Sequence, residues 1–360
     1  MRGLGLRGAA GLLAVLLAVS LAGCTDSGGE DEGGLTIGLL LPSRAVPRWE
    51  KSDKPLIEKR VKELCPDCTV VYANAENDAA SQRQQMTSMI TRGVSALILD
   101  VVDPKALRSS VRAAQRGGTP VVAYDRLAEG PISGFVSFDG AQVGRLQGRA
   151  LLKGMGARAD GGGVVMMNGD PSSPNAAWYE GGARAVLQDE VRILKSYNTL
   201  GWRTENAHDH MTAAISDLGP SQIDGVLAAN DSIAAGVISA LKSAGVSPLP
   251  PVTGQDADLD AVQRIVEGEQ YMTVSKPFRL ETKAAAAMAV ALARGNAIDS
   301  LVTTTVDSPT TEDVPAVLLT PTAVTRETIG RTLVRDGVYT LEQICTPKLR
   351  PACDRAGLTR

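Results

Sequence analysis

The side chains best suited to chemistry are charged and planar polar groups that follow short apolar runs. The clearest example is residues 121–126, Val-Val-Ala-Tyr-Asp-Arg, which Pro120 precedes. A run of β-branched and small apolar residues predicts a short strand buried on both faces. Such a strand delivers Asp125 and Arg126 to its carboxyl end, where open parallel sheets bind ligands. A carboxylate beside a guanidinium offers acceptors and donors together, although the two could also satisfy each other in a turn.

Similar side chains follow the other predicted strands. They are Arg48, Trp49, Asn175, Trp202, Asn230, Asp256 and Lys276. Planar polar groups can pair with vicinal hydroxyls, and the flat face of a tryptophan suits the C–H side of a sugar ring. Each residue alone has another explanation, since Asn230 could cap a helix, Trp202 could lie in a surface loop and Lys276 could be solvated. Their recurrence at equivalent positions favours a site for a hydroxyl-rich small molecule.

The elements that must position these residues alternate between strand and helix from residue 35 onward, which is typical of parallel sheets. A first unit spans 35–138, and a second unit of the same kind begins at Asp139. We therefore predict an α/β fold of two similar doubly wound parallel-sheet lobes, whose strand ends face each other across a cleft. After an Ala-rich helix over 280–294, the pattern predicts only short strands near Leu301 and Val314 and a polar tail.

Residues 1–23 have the pattern of an export signal. Arg2 and Arg7 precede an apolar run over 9–21 that is too short to cross a bilayer. The run ends in Leu-Ala-Gly-Cys24, which resembles a bacterial lipobox, so we expect cleavage before Cys24 and acylation of its thiol. The alternative is an ordinary signal peptide. Two or more acyl chains would anchor the protein stably, and residues 24–34 would then form the acylated cysteine and a flexible acidic tether.

Four further cysteines form two close pairs, Cys65 with Cys68 and Cys345 with Cys353. In an exported chain, an even number of locally paired cysteines predicts two disulfides. The spacing of Cys65 and Cys68 also matches a redox motif, but redox motifs of this kind open a helix after a strand, whereas this one follows a predicted helix. A zinc site would require the two distant pairs to meet. We therefore expect structural disulfides and no metal.

Several function classes find no support in the sequence. The net charge is −3 and no basic run occurs, which disfavours nucleic acid as a partner. The pattern Gly-x-Gly-x-x-Gly at residues 3–8 has no strand before it and indicates no dinucleotide site. The only histidines, His208 and His210, share no helix face and suggest no catalytic triad. Acidic strand ends leave a glycosidase as a minor alternative, but we expect a protein without enzyme activity or cofactor.

Six motifs, in this order along the chain, resemble those of the bacterial D-xylose-binding proteins. They are Arg48-Trp-Glu, Ala123-Tyr-Asp-Arg, Val136-Ser-Phe-Asp with Val143-Gly, Ala229-Asn-Asp, Gly254-Gln-Asp-Ala-Asp and Met272-Thr-Val-Ser-Lys-Pro. Members of that family are the periplasmic sugar-binding components of ABC importers and have the type I periplasmic-binding-protein fold. The resemblance covers about residues 35–340.

The resemblance implies two lobes joined by a hinge of three crossovers. The N-terminal lobe would comprise 35–138 and 279–308, the C-terminal lobe would comprise 139–278 and 309–344, and 345–360 would be a tail with the second disulfide. Carried over residue by residue, it places these side chains on the sugar: Arg48, Asp125, Arg126, Asn175, Trp202, Asn230, Asp256 and Lys276, with Trp49 as a second stacking aromatic. It also implies xylose as ligand and an ABC permease with ATPase subunits as partners. The protein would be a monomeric extracytoplasmic lipoprotein attached to the cell membrane.

One loop departs from the family pattern. Where the family has an acidic residue and an asparagine before its ligand-binding asparagine, this chain reads Ser172-Ser173-Pro174-Asn175. Ser173 leaves one carboxylate partner of the sugar missing, so another aldopentose or an aldohexose is an alternative to xylose. A sugar-sensing receptor that docks on a membrane signalling protein would use the same site, and the sequence does not separate the two roles.

Overall fold

A computed structural model describes residues 34–358 of the chain. The predicted signal segment, Cys24 and the tether up to residue 33 lie outside the described residues. Within 34–358, no helix has the length and apolar character that a membrane crossing requires.

The described chain alternates strands and helices, as predicted. The strands are β1 (Thr36–Leu41), β2 (Thr69–Asn74), β3 (Ala96–Leu99), β4 (Val121–Tyr124), β5 (Gly134–Phe138), β6 (Gly163–Asn168), β7 (Arg192–Asn198), β8 (Gly225–Ala228), β9 (Met272–Ser275), β10 (Thr304–Ser308), β11 (Thr311–Leu319) and β12 (Thr322–Thr325). The α-helices are α1 (Lys54–Leu64), α2 (Ala79–Thr91), α3 (Pro104–Arg116), α4 (Gly140–Met155), α5 (Pro174–Leu187), α6 (Thr204–Leu218), α7 (Asp231–Ser243), α8 (Leu259–Glu267), α9 (Phe278–Ala293), α10 (Leu341–Ile344) and α11 (Arg350–Arg355).

Acidic and amide side chains fix where several helices begin. Asp78, Asp103, Asp139 and Asn230 precede α2, α3, α4 and α7, and each side chain accepts a hydrogen bond from a backbone N–H of the first turn. These bonds satisfy donors that a helix start leaves unpaired. Because the helices begin directly after the strands, the same residues also lie at the strand ends.

The N-terminal lobe is built on a seven-stranded sheet of order β10-β11-β5-β4-β3-β1-β2. All neighbours are parallel except β10 and β11, which are antiparallel. The order reverses between β1 and β3, and doubly wound sheets bind ligands at such a point. Strands β3, β4 and β5 are buried along their whole length, which accounts for their uninterrupted apolar sequences.

The C-terminal lobe has a smaller parallel sheet of order β7-β6-β8 and a separate antiparallel pair, β9 with β12. Next to β8, residues 252–255 form no full strand and contribute one bridge, between Val252 and Val226. The α/β fold of two parallel-sheet lobes is confirmed.

The chain passes between the lobes three times. It leaves the first sheet after β5, returns when α9 packs against β3 and β5, and leaves again between β11 and β12. The predicted boundary after Ser308 is wrong, because residues 311–319 belong to the N-terminal lobe. There β11 pairs in parallel with β5, with Ala316 opposite Phe135. Pro315, which has no N–H to donate, lies just before this ladder begins.

The predicted polar tail is a packed part of the C-terminal lobe. Ile329, Leu333, Ile344 and Leu358 form a buried cluster with apolar residues of α8. Both predicted disulfides are present, Cys65–Cys68 between α1 and β2 and Cys345–Cys353 within this C-terminal segment.

Candidate functional site

A small cavity lies between the lobes, at the carboxyl ends of strands from both sheets. It is lined by Val46, Trp49, Asp125, Arg126, Ser173, Asn175, Tyr179, Trp202, Asn230, Gln255, Asp256 and Lys276. With the lobes in this arrangement, little free space remains between these side chains. Nine of the ten residues predicted for the site lie in its lining, and Arg48 does not.

The fold brings these residues together because each follows a strand. Asp125 and Arg126 come directly after β4, and Lys276 comes directly after β9. Asn175 lies in the first turn of α5, behind β6. Asn230 caps α7 by accepting a hydrogen bond from Ile233 N–H at 3.0 Å. Its alternative interpretation as a helix cap is therefore correct, and the residue lines the cavity as well.

Three of the lining residues have positive φ angles, which residues other than glycine seldom adopt. The angles are 56° at Asp125, 57° at Trp202 and 97° at Asp256. Aspartate tolerates the left-handed region through local hydrogen bonding, but a bulky tryptophan there is an outlier. Such strain persists where the surrounding structure imposes it, and it concentrates at binding sites. The backbone here is shaped to aim side chains into the cavity.

Asp125 is the best-connected acid of the site and is 2% exposed. One carboxylate oxygen accepts a hydrogen bond from Asn175 Nδ2 at 2.7 Å, and the other accepts from Arg48 Nη1 at 2.9 Å. Burial raises the pKa of Asp125, but Lys276, Arg48 and Arg126 together outweigh burial and hold that pKa below its ordinary value. The group is therefore an anion with both oxygens fixed.

Lys276 connects the acids of the two lobes. Its Nζ lies 2.9 Å from Asp256 Oδ1 and 3.6 Å from Asp125 Oδ2. Burial lowers the pKa of Lys276, but the nearby Asp256 carboxylate, with Tyr179 and Asp125, more than reverses this and raises it. Lys276 is therefore a buried ammonium, not the solvated charge of the alternative interpretation.

Arg48, which was expected to touch the sugar, does not line the cavity but lies directly behind its wall. Its guanidinium is sandwiched between the rings of Trp49 and Phe278, 4.1 Å from each centroid. It donates to both oxygens of Asp53, at 3.1 and 2.6 Å, and to Glu281 Oε2 at 2.8 Å. The residue is 1% exposed. Arg48 thus supports Trp49 and Asp125 from behind.

Several buried acids under the site escaped the sequence analysis. Asp53 and Glu281 bind Arg48, and Asp100 lies 3.4 Å from Arg126 Nε. Burial raises the pKa of all three carboxyl groups, against the lowering effect of the nearby arginine. Glu281 carried a signal, since it is an acid near the start of an otherwise Ala-rich helix. Tyr179, one turn after Asn175, and Gln255, next to Asp256, were also within reach of the sequence pattern.

Trp202 forms one wall of the cavity, and its indole packs directly on the backbone of Gly169. A Cβ atom added to Gly169 would lie 2.0 Å from the indole, so only glycine leaves room for the ring. Tyr179 contacts the same indole edge to face, with ring centroids 6.3 Å apart. The indole is thereby fixed from two sides and is 4% exposed.

Several polar atoms in the lining have no hydrogen-bond partner within the described protein. They are Trp49 Nε1, Ser173 Oγ, Asn175 Oδ1, Trp202 Nε1 and Gln255 Oε1. Buried polar atoms are nearly always paired in native structures, so these donors and acceptors are available to a bound molecule. A hydroxyl group both donates and accepts, and a molecule with several hydroxyls can satisfy the whole set.

Within residues 34–358, no cluster of three or more His, Cys, Asp or Glu side chains could hold a metal ion. His208 and His210 lie in α6, and neither lines the cavity. His210 stacks on Tyr197 instead, with ring centroids 5.0 Å apart.

Comparison with known proteins agrees with this geometry. Residues 37–297 match the family described as periplasmic binding protein domain. The chain is 34% identical over 309 residues to the D-xylose-binding periplasmic protein of Escherichia coli (strain K12), covering 84% of this chain and 90% of that one. It is 29% identical over 357 residues to the multiple sugar-binding periplasmic receptor ChvE of Rhizobium radiobacter, covering 93% and 98%. The structure of an ABC transporter solute binding protein from Clostridium phytofermentans with bound β-D-glucose matches with a TM-score of 0.78 at 28% identity, covering 86% of this chain and 99% of that one.

Proposed function

The chain belongs to the periplasmic binding protein family, and we propose that it captures a monosaccharide between its lobes and delivers it to an ABC-type importer. The observation that carries this proposal is the set of unpaired donors and acceptors around the cavity. Amide oxygens at Asn175 and Gln255 require donors, and the two indole N–H groups require acceptors. A sugar supplies both from one small, uncharged body.

The charged groups of the site support a neutral ligand. Asp125, Asp256, Lys276 and Arg126 are paired with one another or with neighbouring groups before any ligand arrives. A charged ligand would leave one of these pairs uncompensated in a buried place, which costs several kcal/mol. Hydroxyls can add hydrogen bonds to the same ions without disturbing the charge balance.

Among sugars we propose D-xylose first, with other aldopentoses and aldohexoses as the alternative. The relative from E. coli is named for D-xylose, and the polar side chains that the resemblance implies for the sugar line the cavity here, with the exception of Arg48. The alternative has support from Ser173, whose hydroxyl is buried and unpaired where a carboxylate would fill more space. The same alternative is supported by a relative named as a multiple sugar-binding receptor and by a similar structure with bound β-D-glucose.

Binding would proceed by opening and closing of the lobes. Asn175 of the C-terminal lobe donates to Asp125 of the N-terminal lobe, and Lys276 contacts acids of both. With these contacts made, the lining is almost wholly buried, so a sugar must enter while the lobes are apart. The lobes would hold residues 35–138 with 279–319, and 139–278 with 320–358. We propose no catalytic step, so the sugar should leave unchanged.

We also propose that the protein is a lipoprotein held at the outer surface of the cell membrane by acylated Cys24. Replacement of Cys24 by alanine should move the protein from the membrane fraction to the soluble fraction. Continued membrane association of this variant in fractionated cells would refute the anchor without affecting the sugar site.

The function is tested by titrating the purified protein with D-xylose, D-glucose, L-arabinose and D-ribose, using calorimetry or tryptophan fluorescence. Trp49 and Trp202 line the cavity, so a bound sugar should change the emission. We expect saturable binding of at least one sugar, with D-xylose the tightest. Absence of binding by every member of the panel would overturn the proposal, and chromatography of the recovered sugar would reveal any chemical conversion.

A further inference from the structure

A second contact between the lobes lies beside the cavity and involves none of the residues that line it. Asp170 follows β6 in the C-terminal lobe and is 6% exposed. One of its carboxylate oxygens accepts from the backbone N–H of Ser172 at 2.8 Å and from its hydroxyl at 2.7 Å. The other accepts from Gly201 N–H at 2.5 Å. A single carboxylate thus ties the loop after β6 to the loop after β7.

These two loops carry cavity residues. Ser173 follows Ser172, and Trp202 follows Gly201. Gly201 has a φ of 65° and Trp202 a φ of 57°, so this turn is held in a conformation that a free loop would seldom adopt. Since a carboxylate that accepts several N–H and O–H donors is a strong anchor, Asp170 fixes the direction in which the Trp202 indole points.

The N-terminal lobe reaches the same carboxylate through Asn77. This residue follows β2 with a φ of 62°, and its backbone N–H donates to Pro42 O at 2.7 Å. Its side-chain amide lies near the Asp170 carboxylate and helps to lower the pKa of that group. The amide also sits against Gly201, where an added Cβ would lie 3.3 Å from Asn77 Nδ2. Nearby, Ser172 Oγ lies 3.4 Å from the Val102 carbonyl oxygen of the N-terminal lobe.

We infer that Asp170 and Asn77 are positioning residues that couple closure of the lobes to assembly of the sugar-binding wall. The inference rests on the proposed function of the cavity. When the lobes close, Asn77 completes the set of donors around Asp170 and presses on Gly201, which locks the Trp202 turn against the ligand. When they open, this contact is lost and the wall loosens, so sugar leaves.

The charge state of Asp170 is consistent with this role. Burial raises its pKa, but hydrogen bonds from Ser172, Gly201 and Asn77 outweigh burial and lower it. Asp170 is therefore an anion near neutral pH and needs the donors that Asn77 completes.

The test is to change Asn77 to aspartate and to glycine, both of which tolerate its backbone conformation. Asn77→Asp puts a carboxylate against Asp170, and Asn77→Gly removes the amide without adding charge. In stopped-flow fluorescence with D-xylose, and with D-glucose as a second probe, we expect release about tenfold faster for Asn77→Asp and a smaller increase for Asn77→Gly. Association rates should stay close to wild type.

Asn296→Asp is the matched control, because it adds the same charge at an exposed position and should release sugar like wild type. As the pH falls toward about 5, one carboxylate of the Asn77→Asp pair should take up a proton and donate it, so release should slow toward the wild-type rate. A purely structural lesion would not show this recovery. Wild-type release by Asn77→Asp, or a change confined to association, overturns the inference. Failure of wild type to bind any sugar overturns the proposed function itself.

Discussion

Replacement of Asp125 by asparagine perturbs the most connected charge of the site while keeping its shape. Asparagine is among the few residues that accept the φ of 56° found there. The new side chain has one acceptor and one NH₂ donor. Because Asn175 Nδ2 and Arg48 Nη1 both donate to Asp125, the NH₂ group must face one donor or the other.

The size of the effect follows from what remains around the site. Loss of a hydrogen bond to a charged group costs roughly 1.5–3 kcal/mol, so sugar affinity should fall about ten- to a hundredfold. Breaking a buried ion pair can cost about 3–5 kcal/mol when the partner is left uncompensated. Here Arg48 keeps Asp53 and Glu281, and Lys276 keeps Asp256. The free energy of unfolding should therefore fall by only about 1.5–3 kcal/mol.

The pH dependence carries a definite sign. The pKa of Asp125 in the folded protein lies below its ordinary value, chiefly because Lys276 and Arg48 overcome the effect of burial. Its stabilisation is fully present above the unfolded-state pKa of about 3.9 and is lost as pH falls through the lower folded pKa. In urea unfolding, the difference between wild type and Asp125→Asn should be constant from about pH 8 to pH 5. It should shrink below about pH 4.

The matched control is Asp217→Asn, which breaks an exposed ion pair with Lys195 and should leave sugar affinity and stability nearly unchanged. Wild-type sugar affinity in Asp125→Asn would refute the assignment of Asp125 to the ligand. A loss of unfolding free energy near about 5 kcal/mol would show that Asp53, Glu281 and Asp256 do not compensate the charges of Arg48 and Lys276.

Three further changes probe other parts of the site. Ser173→Asp should tighten D-xylose binding by about 1–2 kcal/mol in calorimetry if a missing carboxylate weakens the site, and unchanged affinity would exclude that account. Trp202→Phe should keep the apolar wall but lose the indole donor, which should lower sugar affinity about five- to tenfold. Trp202→Ala should lower sugar affinity far more, and equal affinities of the Phe and Ala variants would count against a stacking role. Burial raises the pKa of Glu281 despite Arg48, so wild type takes up a proton on folding and loses stability as pH rises from the unfolded pKa of about 4.3 through the folded one. The unfolding free energy of Glu281→Gln, measured relative to wild type in urea, should accordingly increase from about pH 5 to pH 8, and a flat difference would contradict the raised pKa.

The sequence was informative about the cavity because one rule governs it. The carboxyl ends of parallel strands lie at one edge of their sheet, so polar residues after β4 in one lobe and after β6 and β8 in the other face the cavity. Lys276 follows β9, which lies outside these parallel sheets. Arg48 also follows a strand, β1, but its guanidinium lies over the Trp49 ring and donates to Asp125, so these two residues line the cavity and Arg48 does not. Asp53 and Glu281 are far apart in sequence, and only the packing of α1 and α9 on each other brings both to one guanidinium.

The sequence predicted a short strand near Val314 but missed the full length of β11 and its place in the N-terminal lobe. The C-terminal cluster was missed altogether. The sequence of β11 begins Thr-Glu-Asp-Val-Pro, a mixture of polar residues and proline that local propensity disfavours in a strand. Its place is set by Phe135 and the rest of β5, which lies far back in the chain. Apolar residues over 329–358 are sparse and lack a helical or strand period. They become a core only where α8 offers them a surface.

The position of β11 also determines when the first lobe can be completed. Strands β1 to β5 leave one flank of the sheet without a neighbour until residues 311–319 are made, after residues 139–278 of the second lobe. An unpaired strand edge such as that of β5 is a template for pairing with other chains, and contacts between such distant segments form slowly. Assembly of the two lobes is thus interleaved in time. A nascent chain that ends before about residue 311 exposes the unpaired edge of β5. Pairing of β11 with β5 covers that edge.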